Sequence, residues 1–219
     1  MRKSVIAGVV VALTFATAAP ALAANPPGRA SSGSADFAQQ GGQTVVVGPL
    51  AVCDVNPEQA GTVTGASPAV SGTGLKIGAT SSTCTTTVVN EAEFTTTTTS
   101  TAKGTAFELS ALMAQKGPRL KIAEWTITCS ADAEGTQAAW GLKGLSGWPG
   151  LPAQIPAGYV HDVKSSTGTV LAKAKFTDTA FPEPNDGSLS TTLLRITFEP
   201  SSGYTGSITL GTAACSPTP

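Results

Sequence analysis

Apolar and polar residues alternate one for one along most of this chain, and only an extended strand has that period. The alternation is clearest in the middle. Phe107, Leu109, Ala111 and Met113 alternate with polar or small residues, Gln115-Lys116-Gly117-Pro118 supplies a turn, and Leu120-Lys121-Ile122 resumes the pattern. Trp125, Ile127 and Cys129 continue it one position out of phase, which places a β-bulge at Ala123-Glu124. Residues 106–115 also suit a short helix. The flanking Gly104-Thr105 and Gly117-Pro118, together with the period, favour a strand there.

The same signal recurs on both sides. Thr44-Val45-Val46-Val47 and Leu50-Ala51-Val52-Cys53 flank Gly48-Pro49, a bend or an edge position. Leu75-Lys76-Ile77, Thr83 to Val89, and Glu91 to Thr101 with Phe94 read as strands. So do Tyr159–Val163, Val170–Phe176, Ser188–Phe198 and Ser207–Leu210. Thr85–Thr87 and Thr95–Thr99 are runs of a β-branched polar residue suited to a half-exposed sheet. About ten or more short strands with turns between them, and no βαβ alternation, define an all-β chain. The expected fold is a β-sandwich, jelly-roll-like or otherwise.

The first residues follow a different logic. Met1-Arg2-Lys3 precedes an apolar run from Val5 to about Phe15, and Ala21-Leu22-Ala23 gives an A-x-A site. This is the pattern of a cleaved export signal over 1–23, with cleavage after Ala23 or after Ala24. The run is short for a bilayer of ~30 Å of hydrocarbon, and no later stretch reads as a membrane span. No apolar tail or sorting sequence stands near Cys215-Ser216-Pro217-Thr218-Pro219, so the expectation is a secreted, extracellular protein that is released. Residues 24–33 hold nothing large to bury and are expected to be flexible. Residues 34–216 are expected to form one sandwich-like domain, with a sub-boundary near 103/104 as the alternative.

Export decides how the four cysteines are read. Cys53, Cys84, Cys129 and Cys215 all follow the leader, and an even count outside the cytoplasm implies disulfides. Zinc ligands come in closely spaced pairs, whereas the nearest two here stand 31 residues apart. Three pairings exist; the favoured one is Cys53–Cys84 with Cys129–Cys215. In the chain-entropy view these two loops are worth about 3.7 and 4.6 kcal/mol respectively.

Charge narrows the partners. The chain carries 13 Lys and Arg against 14 Asp and Glu, and losing Arg2 and Lys3 with the leader leaves a mature charge near −3. That gives no electrostatic reason to bind nucleic acid.

Chemistry-bearing residues are sparse. His161 is the only histidine, and the adjacent Asp162 points to the opposite face of a strand, so the pair makes no catalytic dyad. The expectation is a surface histidine. Glu91, Glu93, Glu108, Glu124, Asp132, Glu134, Asp162, Asp178, Glu183, Asp186 and Glu199 are available for a two-carboxylate glycosidase, but so are the acids of any surface. Asp178, Glu183, Asn185 and Asp186 are rich in oxygen ligands, and the turn signal Asn185-Asp186-Gly187 explains them without calcium. No cofactor and no metal is expected. Trp148, Trp140 and Tyr159 lie in or beside a Pro/Gly-rich connection from Gly147 to Gly158 and are the candidate ligand contacts. Trp148, between Gly147 and Pro149, is the leading candidate to stack on a sugar ring, and Trp125 is expected in the core.

Taken together, the segment Trp125-Thr126-Ile127-Thr128-Cys129, the segment Gly141-Leu142-Lys143-Gly144-Leu145, the Pro-rich loop, the late alternating strands and the ending Thr212-Ala213-Ala214-Cys215 form a familiar pattern. It is similar to the choice-of-anchor P type of exported protein common in actinobacteria. The resemblance covers about 104–215 and extends to 34–54. It implies a secreted or surface β-module of unknown biochemical role, although no C-terminal anchor is seen here. The expected function is a non-enzymatic binding or structural module with an extracellular partner, protein or cell-wall polysaccharide. A carbohydrate-binding or carbohydrate-cleaving protein is the alternative.

Overall fold

The computed structural model describes residues 28–56, 59–90, 95–132, 134–183 and 185–216. The expected leader, with Ala23 and Ala24, lies outside them, as do Glu91, Glu93 and Phe94. Fourteen strands are found among the described residues. In chain order they are β1 (Gly28–Gln39), β2 (Thr44–Leu50), β3 (Cys53–Val55), β4 (Gly61–Ser67), β5 (Val70–Gly72), β6 (Leu75–Ile77) and β7 (Thr80–Asn90). Then come β8 (Thr95–Leu109), β9 (Leu120–Asp132), β10 (Gly135–Lys143), β11 (Val160–Lys164), β12 (Val170–Ala180), β13 (Leu189–Phe198) and β14 (Tyr204–Cys215).

They build two antiparallel sheets of seven strands each. Sheet A has the order β11-β12-β13-β14-β1-β2, with β3 continuing the β2 edge along β1. Sheet B has the order β10-β9-β8, after which β6 and β7 share the next position and β5 and β4 the last. The described residues begin with β1 in the middle of sheet A, cross to sheet B for residues 61–143, and return to sheet A, where β14 lies against β1. Arg29 pairs with Ala214 and Gln39 with Tyr204. The two sheets bury one continuous apolar core that runs from Ala30 to Cys215.

Both disulfides cross that core. Cys53 of β3 in sheet A bonds Cys84 of β7 in sheet B, and Cys129 of β9 in sheet B bonds Cys215 of β14 in sheet A. The favoured pairing is the one found, and each bridge ties one sheet to the other.

Residues 28–33, expected to be flexible, are the first half of β1. Gly28, Ala30 and Ser32 face inward because sheet B passes close beneath them. A Cβ on Gly28 would lie 2.3 Å from Thr98 Cγ2, and the Ser32 hydroxyl reaches across to the Ser81 and Lys103 carbonyls at 2.9 and 3.2 Å. The alternative boundary at 103/104 falls inside β8, which runs unbroken through both residues. The expected hairpin over 107–122 is also altered. Phe107 and Leu109 end β8, but Ala111–Gln115 is a single 3-10 turn closed by Lys116 at φ 59, and Met113 is exposed.

The phase change expected at Ala123-Glu124 is present without an inserted residue. Glu124 pairs with Thr105 and Ile122 with Phe107, so the count is equal on both strands. Ala106, at φ 54, lets β8 change phase with β9. Sheet A carries a longer version. Ser32–Gly33, Leu210–Gly211, Leu193–Leu194 and Phe176–Thr177 are each successive buried residues on adjoining strands. Gly33, Leu210, Leu194 and Phe176 are register partners, so a fold line crosses the four central strands β1, β14, β13 and β12. Gly211 at φ 63 and Thr177 at φ 50 supply the backbone reversals.

Candidate functional site

Sheet A has six strand positions and sheet B five, so β11 and β12 extend past β10, which packs against β13. The Pro/Gly-rich connection between β10 and β11 fills the gap beneath them. Lys121 and Ser146 exchange backbone hydrogen bonds of 2.8 and 3.0 Å, which holds the start of the connection to β9. Trp148 then turns inward. Its Nε1–H donates to the Lys121 carbonyl at 3.0 Å, and its ring meets Phe176 edge-on at 5.5 Å and His161 at 6.1 Å. Tyr159 closes the far side, 6.4 Å from His161 and 6.5 Å from Phe176.

Two site expectations change here. Trp148 is only 8% exposed, so it has no free face for a sugar ring; the connection folds back because apolar β12 needs a cover that sheet B does not supply. His161 is 7% exposed, not a surface residue, and burial holds its imidazole below the usual range. The neighbouring Asp162 pulls the other way and Lys164 adds to the lowering. Tyr159 is half-buried, and Trp125 is in the core as expected. Of the three candidate aromatics, Trp140 alone keeps substantial exposure, at 39%.

Four of the candidate carboxylates are held by cations. Glu108 pairs with Arg119 and Lys121, Glu124 with Lys143, Asp178 with Lys175, and Glu199 with Lys173. Asp186 accepts from the backbone and hydroxyl of Ser188, which pulls its carboxyl below the usual range, and the Asn185 side chain accepts from the Gly187 N–H. The oxygen-rich stretch is therefore folded as side-chain-capped turns. Among the described residues no three His, Cys, Asp or Glu side chains are grouped to share a metal ion, and no helix is long and apolar enough to cross a membrane.

The outer face of sheet B carries a feature the sequence hid. Thr64, Thr83, Thr101 and Thr128 are successive register partners, and so are Thr62, Thr85, Thr99 and Ser130. Hydroxyls pair across strands at Thr62–Thr85 (3.1 Å) and Thr101–Thr128 (3.0 Å). This hydroxyl-lined field ends at a trough of about 300 Å³ whose walls include Ser81, Lys103, Thr126, Gly141 and the Glu124–Lys143 pair. The threonine runs signalled a half-exposed sheet, but only the register shows that they share rows.

The four sheet edges differ sharply. The β2–β3 edge carries Pro49 in a register shift and a break at Ala51. The β4–β5 edge is broken at Pro68, and β11 has five residues that include His161, Asp162 and Lys164. Pro, bulges, charge and brevity all discourage a further strand. β10 has none of these along Gly135–Leu142, and its one charge, Lys143, is at its end and paired with Glu124. Trp140 is on its core-facing side, opposite Ile127, and is left half-uncovered.

No protein-family model, curated protein or solved structure matches this chain.

Proposed function

We propose that this chain is an exported, non-enzymatic β-sandwich module that works by binding outside the cell, and that β10 is the edge through which it accepts a strand from a partner protein. The observation that carries the reading is the contrast among edges. Three have features that discourage strand addition, while the nine residues of β10 present an almost uncharged, proline-free edge. Strand addition supplies affinity through main-chain hydrogen bonds and specificity through alternate side chains, here around Trp140. The two cross-sheet disulfides are compatible with an oxidising exterior, and the resemblance to choice-of-anchor exported proteins points the same way. Burial of Trp148, and the cations that hold Glu108, Glu124, Asp178 and Glu199, weigh against the carbohydrate alternative.

Selection of random peptides against the disulfide-bonded protein tests this reading. The expected binders are extended and proline-free, and they lose affinity for a Trp140→Lys variant, which puts a charge where an added strand would bury it. Binders indifferent to that substitution, or binding to cell-wall polysaccharide alone, would overturn it.

A further inference from the structure

The β10–β11 connection covers the exposed end of sheet A, and what holds its middle is unusual. Residues 144–159 contain no charged side chain and seven Gly or Pro residues. The two ends are pinned, by Lys121–Ser146 and by the Gly158 N–H shared between the Phe176 and Thr177 carbonyls. Between them the connection rests on Leu151 and Ile155, both partly buried, and on Trp148 against His161 and Phe176. His161 belongs to β11, a five-residue edge strand with a register break at Val163/Lys164. The histidine is thus packed into a short edge strand with a register break and under an irregular cover.

We propose that His161 is an acid-sensitive latch: neutral, it packs with Trp148 and Tyr159 and keeps the connection closed; protonated, it opens the connection and uncovers Trp148. The surroundings offer the imidazolium little. Trp148 and Phe176 are apolar, and the connection adds only the Tyr159 phenol. On its own strand Asp162 attracts a proton and Lys164 repels it, both from the opposite face. On the neighbouring strand, Lys173 and Lys175 are the register partners of Asp162 and Val160, and Asp178 is paired with Lys175. Lys121 is engaged by Glu108. The Trp148 ring is tilted by 56° at a centroid distance of 6.1 Å, not the face-on approach within about 6 Å that stabilises a cation.

The sign follows from proton linkage. The closed state binds the proton less readily than an exposed histidine, whose ordinary value is about 6.5. Below that pH the open state takes up the proton first, so opening becomes more frequent by up to about tenfold per pH unit until the closed state also protonates. Above it the latch is shut. This device is independent of strand addition at β10.

Amide hydrogen exchange between pH 7.5 and 4.5, corrected for the intrinsic rate, tests it. Protection over residues 147–163 is expected to fall by up to about tenfold per pH unit below ~6.5 while amides of β8 and β9 stay protected. His161→Phe, which keeps a ring in place, should abolish the dependence. His161→Gln serves as the neutral comparison should the phenylalanine variant not fold. Protection that does not change with pH in the wild type, or that falls equally in the variants, overturns the latch.

Discussion

The indole of Trp125 lies against the backbone of Gly104, its register partner on β8, so closely that a Cβ on Gly104 would fall 2.2 Å from Cζ2. The missing side chain makes room for the largest residue in this part of the core. Gly104→Ala should therefore act as overpacking and destabilise by ~1–3 kcal/mol in urea unfolding. A Trp125→Phe change should partly rescue it. Additive losses in the double variant would mean that the two residues do not share this space.

The two bridges span loops of different length, 31 and 86 residues apart in sequence. Replacing Cys129 and Cys215 together by Ala should cost about 2–5 kcal/mol and exceed the loss from replacing Cys53 and Cys84. The longer loop also ties down β14, on whose pairing with β1 sheet A depends. Comparison of the two midpoints in guanidinium chloride checks the order.

Thr177 is β-branched, buried and held at φ 50, a conformation that costs a non-glycine residue about 1–2 kcal/mol. Thr177→Gly removes that strain and should leave the protein no less stable, with a gain of up to ~1 kcal/mol after the loss of side-chain packing. A fall of more than 2 kcal/mol would show that the fold line needs the threonine side chain.

Trp148→Ala should cost ~3–5 kcal/mol, because it empties a buried aromatic site. Trp148→Phe should cost only about 1 kcal/mol, the bond to the Lys121 carbonyl with some packing. The alanine variant thus reports on stability, and any loss of binding in it must be compared with the phenylalanine variant.

Particular residues show what the sequence made legible. Trp125, Ile127 and Cys129 alternate against a large core, so their strand and their burial could both be read in advance. The β1 residues Gly28, Ala30 and Ser32 are small because the facing sheet leaves no room, and small residues have the composition of a linker. Met113 sits at an alternating position yet is exposed, since a 3-10 turn and a strand cannot be told apart over five residues. Trp148 and His161 are buried by a tertiary fact, the extra width of sheet A, that no local pattern encodes. The favoured cystine pairing, one bridge in each half of the chain, is the one found, although four cysteines allow three pairings.

Strand addition at β10 is tested most directly by amide hydrogen exchange on the protein with and without a selected peptide. The account predicts slowed exchange over residues 135–143, little change along β4 and β11, and loss of the effect in Trp140→Lys. Slowing confined to the trough residues 79–81, 103–105 and 124–126, with β10 unchanged, would contradict it.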